Sequence, residues 1–85
     1  MSRAWQVHGS ARVMAFLAAQ SARDRGRLLA LLEEMAARPE ARSTDQPRKD
    51  DKGRTHWLRF QDGFAIIFWI DPWEKELRIV DVGFE

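Results

Sequence analysis

Residues 56–85 read HWLRFQDGFAIIFWIDPWEKELRIVDVGFE, and this stretch decides the fold. Two turn signals divide it into three apolar segments. The pair Asp62-Gly63 is typical of a tight β-hairpin, and a second turn begins at Asp71, which proline follows at a favoured position. The stretch therefore predicts an antiparallel three-stranded meander, with strands at residues 56–60, 64–70 and 76–84.

The middle segment of the meander, FAIIFWI at residues 64–70, is apolar at every position. A strand that is apolar on both faces is typical of the centre of a sheet. Because side chains alternate along a strand, one face is predicted to pack on helices. The residues assigned to that face are Phe64, Ile66, Phe68 and Ile70. On the last strand, alternation groups Leu77, Ile79 and Asp81 on one face and Arg78, Val80, Val82 and Phe84 on the other.

The preceding residues predict a short strand and two helices. Residues 4–7 alternate as in a strand, and His8-Gly9 then reads as a turn. Ser10 and Ser21 are favourable N-caps for helices that carry apolar residues at helical spacing. Gly26 within the second helix is expected to allow close packing on the first. The fold class is therefore α+β: a short N-terminal strand and a helical hairpin packed on an antiparallel sheet with a C-terminal meander.

Residues 40–55, EARSTDQPRKDDKGRT, differ from the rest because alanine is their only apolar residue. Their turn-forming residues and charges predict a polar, basic loop. Sixteen residues is long for a connection in a small domain, and such loops are usually functional or disordered.

Composition excludes several classes of protein. The chain has 85 residues, which predicts a single domain over 1–85, and no cysteine, which excludes disulfides and thiolate metal sites. Its longest apolar run is far too short to span a membrane, and no cofactor or metal motif is present. A cytoplasmic protein is expected. Residues 1–55 hold 11 Lys/Arg and 7 Asp/Glu, a net charge of +4, and the remainder holds 3 and 6, a net of −3.

Two stretches carry a resemblance to a known family. Residues 20–39, QSARDRGRLLALLEEMAARP, are similar to the second helix of RelE/ParE-type toxins, which ends at a proline. Residues 56–85 resemble the meander of these toxins, with Gly63-Phe64 at the first turn and Val82-Gly83 near the end. The resemblance implies the toxin component of a bacterial type II toxin–antitoxin system, silenced by a cognate antitoxin protein. The family's targets are ribosome-bound mRNA, which its nucleases cleave, and gyrase, so the chain is expected to inhibit translation or gyrase.

The resemblance also implies site residues. Arg59 matches the basic residue that family nucleases carry on the first meander strand, and His56 nearby is a candidate for proton transfer. Ala65 stands where these nucleases have an arginine, and Phe84 and Glu85 stand where basic residues follow the Val-Gly pair. The expected activity is therefore diverged from RNA cleavage. Basic residues before this strand are expected to bind RNA phosphates, and these are Arg48, Lys49, Lys52 and Arg54.

Both candidate catalytic residues have alternative interpretations. Alternation places Leu58 and Phe60 toward the helices and Arg59 on the opposite face. There Arg59 either contacts RNA phosphate or forms a surface ion pair with an acidic residue such as Asp81. His56 is either a general base or a structural histidine, and the loop cations are either an RNA-binding patch or a solvated loop.

Apolar side chains on the face away from the helices suggest another use of the sheet. The residues are Trp57, Ala65, Ile67 and Trp69. They are interpreted as a protein interface, as packing under the long loop, or as stacking partners for RNA bases. The alternative function is therefore a non-catalytic binding module or homodimer that uses this apolar face.

Overall fold

A computed structural model describes residues 4–85 and contains two helices and five strands. Their bounds are β1 Gln6–Gly9, α1 Ala11–Ala19, α2 Ala22–Ala37, β2 Gln46–Lys49, β3 Thr55–Gln61, β4 Phe64–Asp71 and β5 Glu76–Phe84. The strands form one sheet in the order β1-β5-β4-β3-β2. The predicted α+β class and C-terminal meander are confirmed.

The sheet is mixed, because β1 runs parallel to β5 while every other neighbouring pair is antiparallel. β4 lies in the centre, as its continuous apolar sequence predicted. Both helices pack on one face of the sheet, and the core between them holds twelve buried apolar residues. The opposite face carries no helix among the described residues, and we call it the open face.

Serine caps begin both helices. The Ser10 hydroxyl accepts a hydrogen bond from the Val13 N–H, and the Ser21 hydroxyl accepts one from the Asp24 N–H, each at 3.2 Å. These contacts satisfy backbone donors that a helix start leaves without partners. Gly26, in contrast, is exposed, and no atom lies within 4 Å of where its side chain would begin. The expectation that Gly26 allows close helix packing is wrong.

The N-terminal strand lies two residues later than expected. It spans Gln6–Gly9, so His8-Gly9 is part of a strand and not a turn. Pairing with β5 explains the difference, since Val7 lies beside Leu77 and Gly9 beside Ile79. A parallel partner far along the chain is a constraint that local sequence does not contain.

The polar segment 40–55 contains structure that the sequence did not predict. Residues 46–49 form the edge strand β2, which pairs with β3 although all four of its side chains are exposed. The Asp50 carboxylate closes the turn between them by accepting hydrogen bonds from the Lys52 and Arg54 N–H groups at 2.9 and 2.8 Å. The segment is therefore largely a hairpin and not a loop.

A β-bulge changes the faces of the last strand. Ile67 pairs with Asp81, but its neighbour Phe68 pairs with Ile79, so Val80 is the extra residue. A bulge shifts the alternation by one position. Val82 is consequently buried in the core together with Ile79, and the predicted grouping of Ile79 with Asp81 is wrong.

The predicted faces of β3 are reversed. Directly opposed residues of antiparallel strands share a face, and Arg59 opposes the buried Ile66, whereas Leu58 opposes Ile67. Trp57, Arg59 and Gln61 therefore lie on the helix side, and Leu58 and Phe60 lie on the open face. A shift of one residue in the assumed register produces this reversal.

Neither helix within residues 4–85 has the length and apolar character that crossing a membrane requires.

Candidate functional site

Arg59, the first candidate catalytic residue, is held in a buried ion pair on the helix side. Its Nε and Nη2 donate to the two carboxylate oxygens of Asp45 at 2.9 and 2.7 Å. Arg59 is 4% exposed and Asp45 6%. The sequence expectation that Arg59 lies on the face away from the helices, near Asp81, is wrong. A guanidinium enclosed in this way is a structural group, and we do not assign it to the site.

The Asp45 carboxylate has several partners. Burial raises the pKa of Asp45. Hydrogen bonds from the Arg59 side chain and the Arg42 N–H, together with the charges of both arginines, lower that pKa by a larger amount. The net pKa lies below the ordinary aspartate value. These contacts fix the segment between α2 and β2 against the sheet, which explains the burial of two charges in so small a core.

His56, the second candidate, lies on the open face at the start of β3. Its Nε2 is 3.4 Å from the Asp50 carboxylate, and its side chain is mostly buried. The pKa of Asp50 is lowered, chiefly by the hydrogen bond that the Arg54 N–H donates to its carboxylate. Burial raises this pKa by less than that bond lowers it, and the Lys52 N–H and nearby positive charges lower it as well. The pairing with Asp50 favours a structural histidine at the base of the β2–β3 hairpin.

The four hairpin cations do not form one patch. Arg48 lies beside His56 on the open side of the edge strand, whereas Lys49 opposes Thr55 on the other side. Lys52 is in the turn. Arg54 extends over the indole of Trp69, with 4.1 Å between its guanidinium carbon and the ring centroid. Arg54 is therefore the hairpin cation that the structure places in contact with a residue of the central strand.

The open face has an apolar patch at the turn end of β3 and β4, consisting of Leu58, Phe60, Ala65 and Ile67. Leu58 opposes Ile67 and Phe60 opposes Ala65, so the four side chains form a compact block. Phe60 is 48% exposed. Ala65 and Ile67 lie on the face where the sequence placed them, but Trp57 does not, because it packs against the core on the helix side.

Trp69, the remaining apolar candidate, belongs to a different cluster. It opposes Arg78 on β5, and the Arg78 guanidinium carbon is 5.2 Å from the indole centroid. Arg78 in turn lies beside His8 on β1. Together with Arg54 these side chains form a line across the open face that we call the cationic row: His8, Arg78, Trp69 and Arg54.

Two acidic residues hold Arg78 within the row. Arg78 Nη2 is 3.1 Å from a Glu76 oxygen, and Arg78 Nε is 3.5 Å from an Asp71 oxygen. Arg54 differs, because no side-chain ion pair among residues 4–85 involves its guanidinium. Arg54 is thus the more strongly positive end of the row, and it is exposed.

Sequence reasoning identified Arg54 and Trp69 separately but missed Arg78 and His8. The sequence does contain a signal for Arg78. If β4 and β5 are paired residue by residue from the turn that follows Asp71, Ile70 opposes Leu77 and Trp69 opposes Arg78. His8 had no such signal, since its place depends on the parallel pairing of β1 with β5.

Comparison with solved structures identifies similar chains. A RelE toxin chain of the RelBE2 toxin–antitoxin complex of Mycobacterium tuberculosis matches with a TM-score of 0.76, 11% sequence identity and coverage of 98% of this chain and 100% of that one. The archaeal RelE–RelB complex of Pyrococcus horikoshii gives 0.72, 13% identity and 96% of each chain. The intact RelBE complex of E. coli gives 0.63, 13% identity, and 96% of this chain against 98% of that one.

No protein-family model matches the sequence, and comparison with curated proteins also gives no match. At such low identities the solved structures define the fold and not the activity. Residues 4–85 therefore have a RelE-like fold, as the residues of the second helix and the meander suggested.

Proposed function

We propose that this chain is the toxin component of a type II toxin–antitoxin system and that it inhibits translation through RNA bound on the open face. The observation that supports the proposal most strongly is the likeness to RelE chains over nearly the full length of both partners. The three structures compared above are toxin–antitoxin complexes, so a cognate antitoxin that covers this chain is part of the proposal.

The open face supports a nucleic-acid target in particular. It combines exposed cations with an indole ring, and proteins that bind single-stranded nucleic acids use both kinds of side chain. Where family nucleases place an arginine after the first turn, this chain has Ala65 within the apolar patch. We therefore propose inhibition of translation by a diverged site, with cleavage of the message not required.

Induced expression in bacteria tests the proposal. Growth should stop, and incorporation of labelled methionine should fall well before incorporation of labelled thymidine. Co-expression of the protein encoded beside the toxin gene should restore growth. Leu28→Asp is a suitable control, because Leu28 is fully buried and the variant is expected to be unfolded at equal expression.

Two outcomes would exclude this function. Normal growth at high expression of the folded chain would exclude toxicity. Early loss of DNA supercoiling with continued protein synthesis would identify gyrase as the target in place of translation.

The apolar patch favours a second candidate function, a non-catalytic binding module or homodimer. Exposed apolar blocks of this kind are characteristic of protein interfaces. Light scattering of the purified chain distinguishes the two cases: a dimer that Phe60→Lys converts to a monomer would support self-association. A monomer that binds no partner would remove this candidate.

A further inference from the structure

The cationic row is continuous across four neighbouring segments of the open face. His8 on β1 lies beside Arg78 on β5, and Arg78 opposes Trp69 on β4. Arg54, just before β3, covers the same indole. Two guanidiniums thereby flank a single indole, and the imidazole lies on the far side of Arg78, although these residues are far apart in sequence.

Both guanidiniums of the row are positioned without a ligand. Arg78 is held by Glu76, Asp71 and the indole. The Arg54 guanidinium lies over the same indole, and its backbone is fixed because its N–H donates to the Asp50 carboxylate and its carbonyl accepts from the Asp50 N–H at 3.0 Å. Positioning before binding reduces the entropy lost when a ligand is bound. Planar guanidiniums held in this way match the oxygens of a phosphate group.

A depression in the open face lies at one end of the row. Its volume is about 220 Å³, and it is lined by His8, Ser10, Trp69, Arg78, Ile79 and Val80. The β5 bulge occurs at this position. Bulges are frequent beside functional sites, where they redirect side chains, and here the bulge follows directly after the strand segment that carries Arg78.

We propose that the cationic row is a binding subsite for the phosphodiester backbone of single-stranded RNA, with Arg54 and Arg78 as the phosphate ligands. Trp69 acts as a positioning residue that holds the two guanidiniums near each other. This inference rests on the proposed action on RNA and assigns it to specific residues. An acidic protein segment fits less well, because the indole and guanidinium planes of the row also stack on nucleobases.

Binding of a short fluorescein-labelled oligouridylate, measured by fluorescence anisotropy at several KCl concentrations, tests the subsite. Arg54→Gln should weaken binding about tenfold, and each lost phosphate contact should reduce the slope of log K against log salt by about 0.7. Arg78→Gln should behave in the same way. Arg23→Gln is the matched control, because Arg23 is an exposed arginine on α2, on the opposite side of the sheet. It changes the net charge equally and should alter affinity less than about twofold.

The role of Trp69 has its own readout. Trp69→Ala should weaken RNA binding and lower the salt slope although no charge is removed, because the guanidiniums lose the ring that holds them. Trp69→Phe keeps an aromatic face and should restore most of both quantities. A loss that Phe does not restore would overturn the positioning role.

Two binding results would exclude the subsite. Wild-type protein that does not bind the oligonucleotide at low salt would exclude it. Arg54→Gln and Arg78→Gln variants that bind like Arg23→Gln would also exclude it, with circular dichroism confirming that each variant is folded.

The subsite and the proposed toxicity can fail independently. Growth arrest without an effect of the Arg54 and Arg78 substitutions on RNA binding would retain the toxin and reject the subsite. RNA binding that depends on both arginines, in a chain that does not affect growth, would retain the subsite and reject the toxin.

Discussion

Asp45 and Arg59 are the residues on which the helix side of β3 depends. The pair buries two opposite charges, and the Arg59 guanidinium also lies 5.0 Å from the centroid of the Phe68 ring in the core. A buried charge without its partner is far less stable than the intact pair. We therefore expect Asp45→Asn to lower the free energy of unfolding by about 3–5 kcal/mol, measured by urea denaturation. Asp51→Asn, at an exposed position in the hairpin turn, should change it by less than about 0.5 kcal/mol.

Replacing both partners separates the value of the pair from the cost of an unpaired charge. Apolar residues of similar volume often replace a buried ion pair without net loss. Asp45→Leu combined with Arg59→Met should therefore be more stable than Asp45→Asn alone. If the double variant is the less stable of the two, losing the hydrogen bond that the Arg42 N–H donates to Asp45, at 2.7 Å, costs more than leaving Arg59 unpaired.

The lowered pKa values of Asp45 and Asp50 predict how stability depends on pH. A carboxyl whose pKa is lower in the folded state stabilises the fold above its unfolded pKa, about 3.9 for aspartate. That contribution is lost as pH falls through the lower folded pKa. The urea midpoint should thus change little from these groups between pH 7 and 5, then fall below about pH 4. Asp45→Asn should show a smaller fall, and an equal fall would assign the effect to other carboxyls.

Sequence reasoning placed Arg59 on the correct strand but on the wrong face. Alternation divides β3 into two sets of side chains, and apolar Leu58 and Phe60 were the natural choice for the core. The structure buries the other set because Arg59 has a partner in Asp45, and Trp57 lies on the same face. A charged residue in a core is predictable from sequence when its partner is adjacent, and here the partner lies 14 residues away.

The β3–β4 hairpin allows a test at the level of a single element. Asp62 and Gly63 both have positive φ, at 55° and 83°, as a tight turn of the Asp-Gly kind requires. Gly63→Ala should therefore cost about 1–2 kcal/mol of unfolding free energy. Gly26→Ala on the exposed surface of α2 should instead stabilise the protein by about 0.5–1 kcal/mol, since the added methyl group meets no atom.

Thermal or urea unfolding of both glycine variants provides the comparison. Because the two substitutions are chemically identical, a difference in sign reports backbone conformation alone. Destabilisation by Gly26→Ala would mean that the helix surface is occupied in solution.

Helices, strands and turns were predictable where the residues that determine them are close together in the sequence. Helix caps at Ser10 and Ser21 and the turn at Asp62-Gly63 depend on neighbouring residues, and each is present as expected. The edge strand β2 and the bulge in β5 were not predicted. β2 has polar, exposed side chains and exists through backbone pairing with β3. The trace of the bulge in the sequence is Asp81, a charged residue where alternation from Leu77 and Ile79 would place a core residue.

At the scale of the whole molecule, the two faces of the sheet carry different kinds of side chain. The helix side contains the core, whereas the open face combines the apolar patch with the cationic row. Both faces of the central strand are apolar, so sequence alone identified its position in the sheet but could not fix which residues of β3 share each face. The candidate site depends on that assignment, because it groups Leu58 with Ile67 and separates Arg59 from the site.

Two phenylalanines on either side of the β3–β4 turn test this assignment of faces. Phe60 and Phe64 flank the same turn, yet Phe64 is fully buried on the helix side and Phe60 is 48% exposed on the open face. Removing a buried phenyl ring leaves a cavity, so Phe64→Ala should lower the free energy of unfolding by about 3–5 kcal/mol. Phe60→Ala should lower it by about 1 kcal/mol or less. Urea denaturation of both variants provides the measurement, and equal losses would show that the open face is covered in solution, which the second candidate function requires.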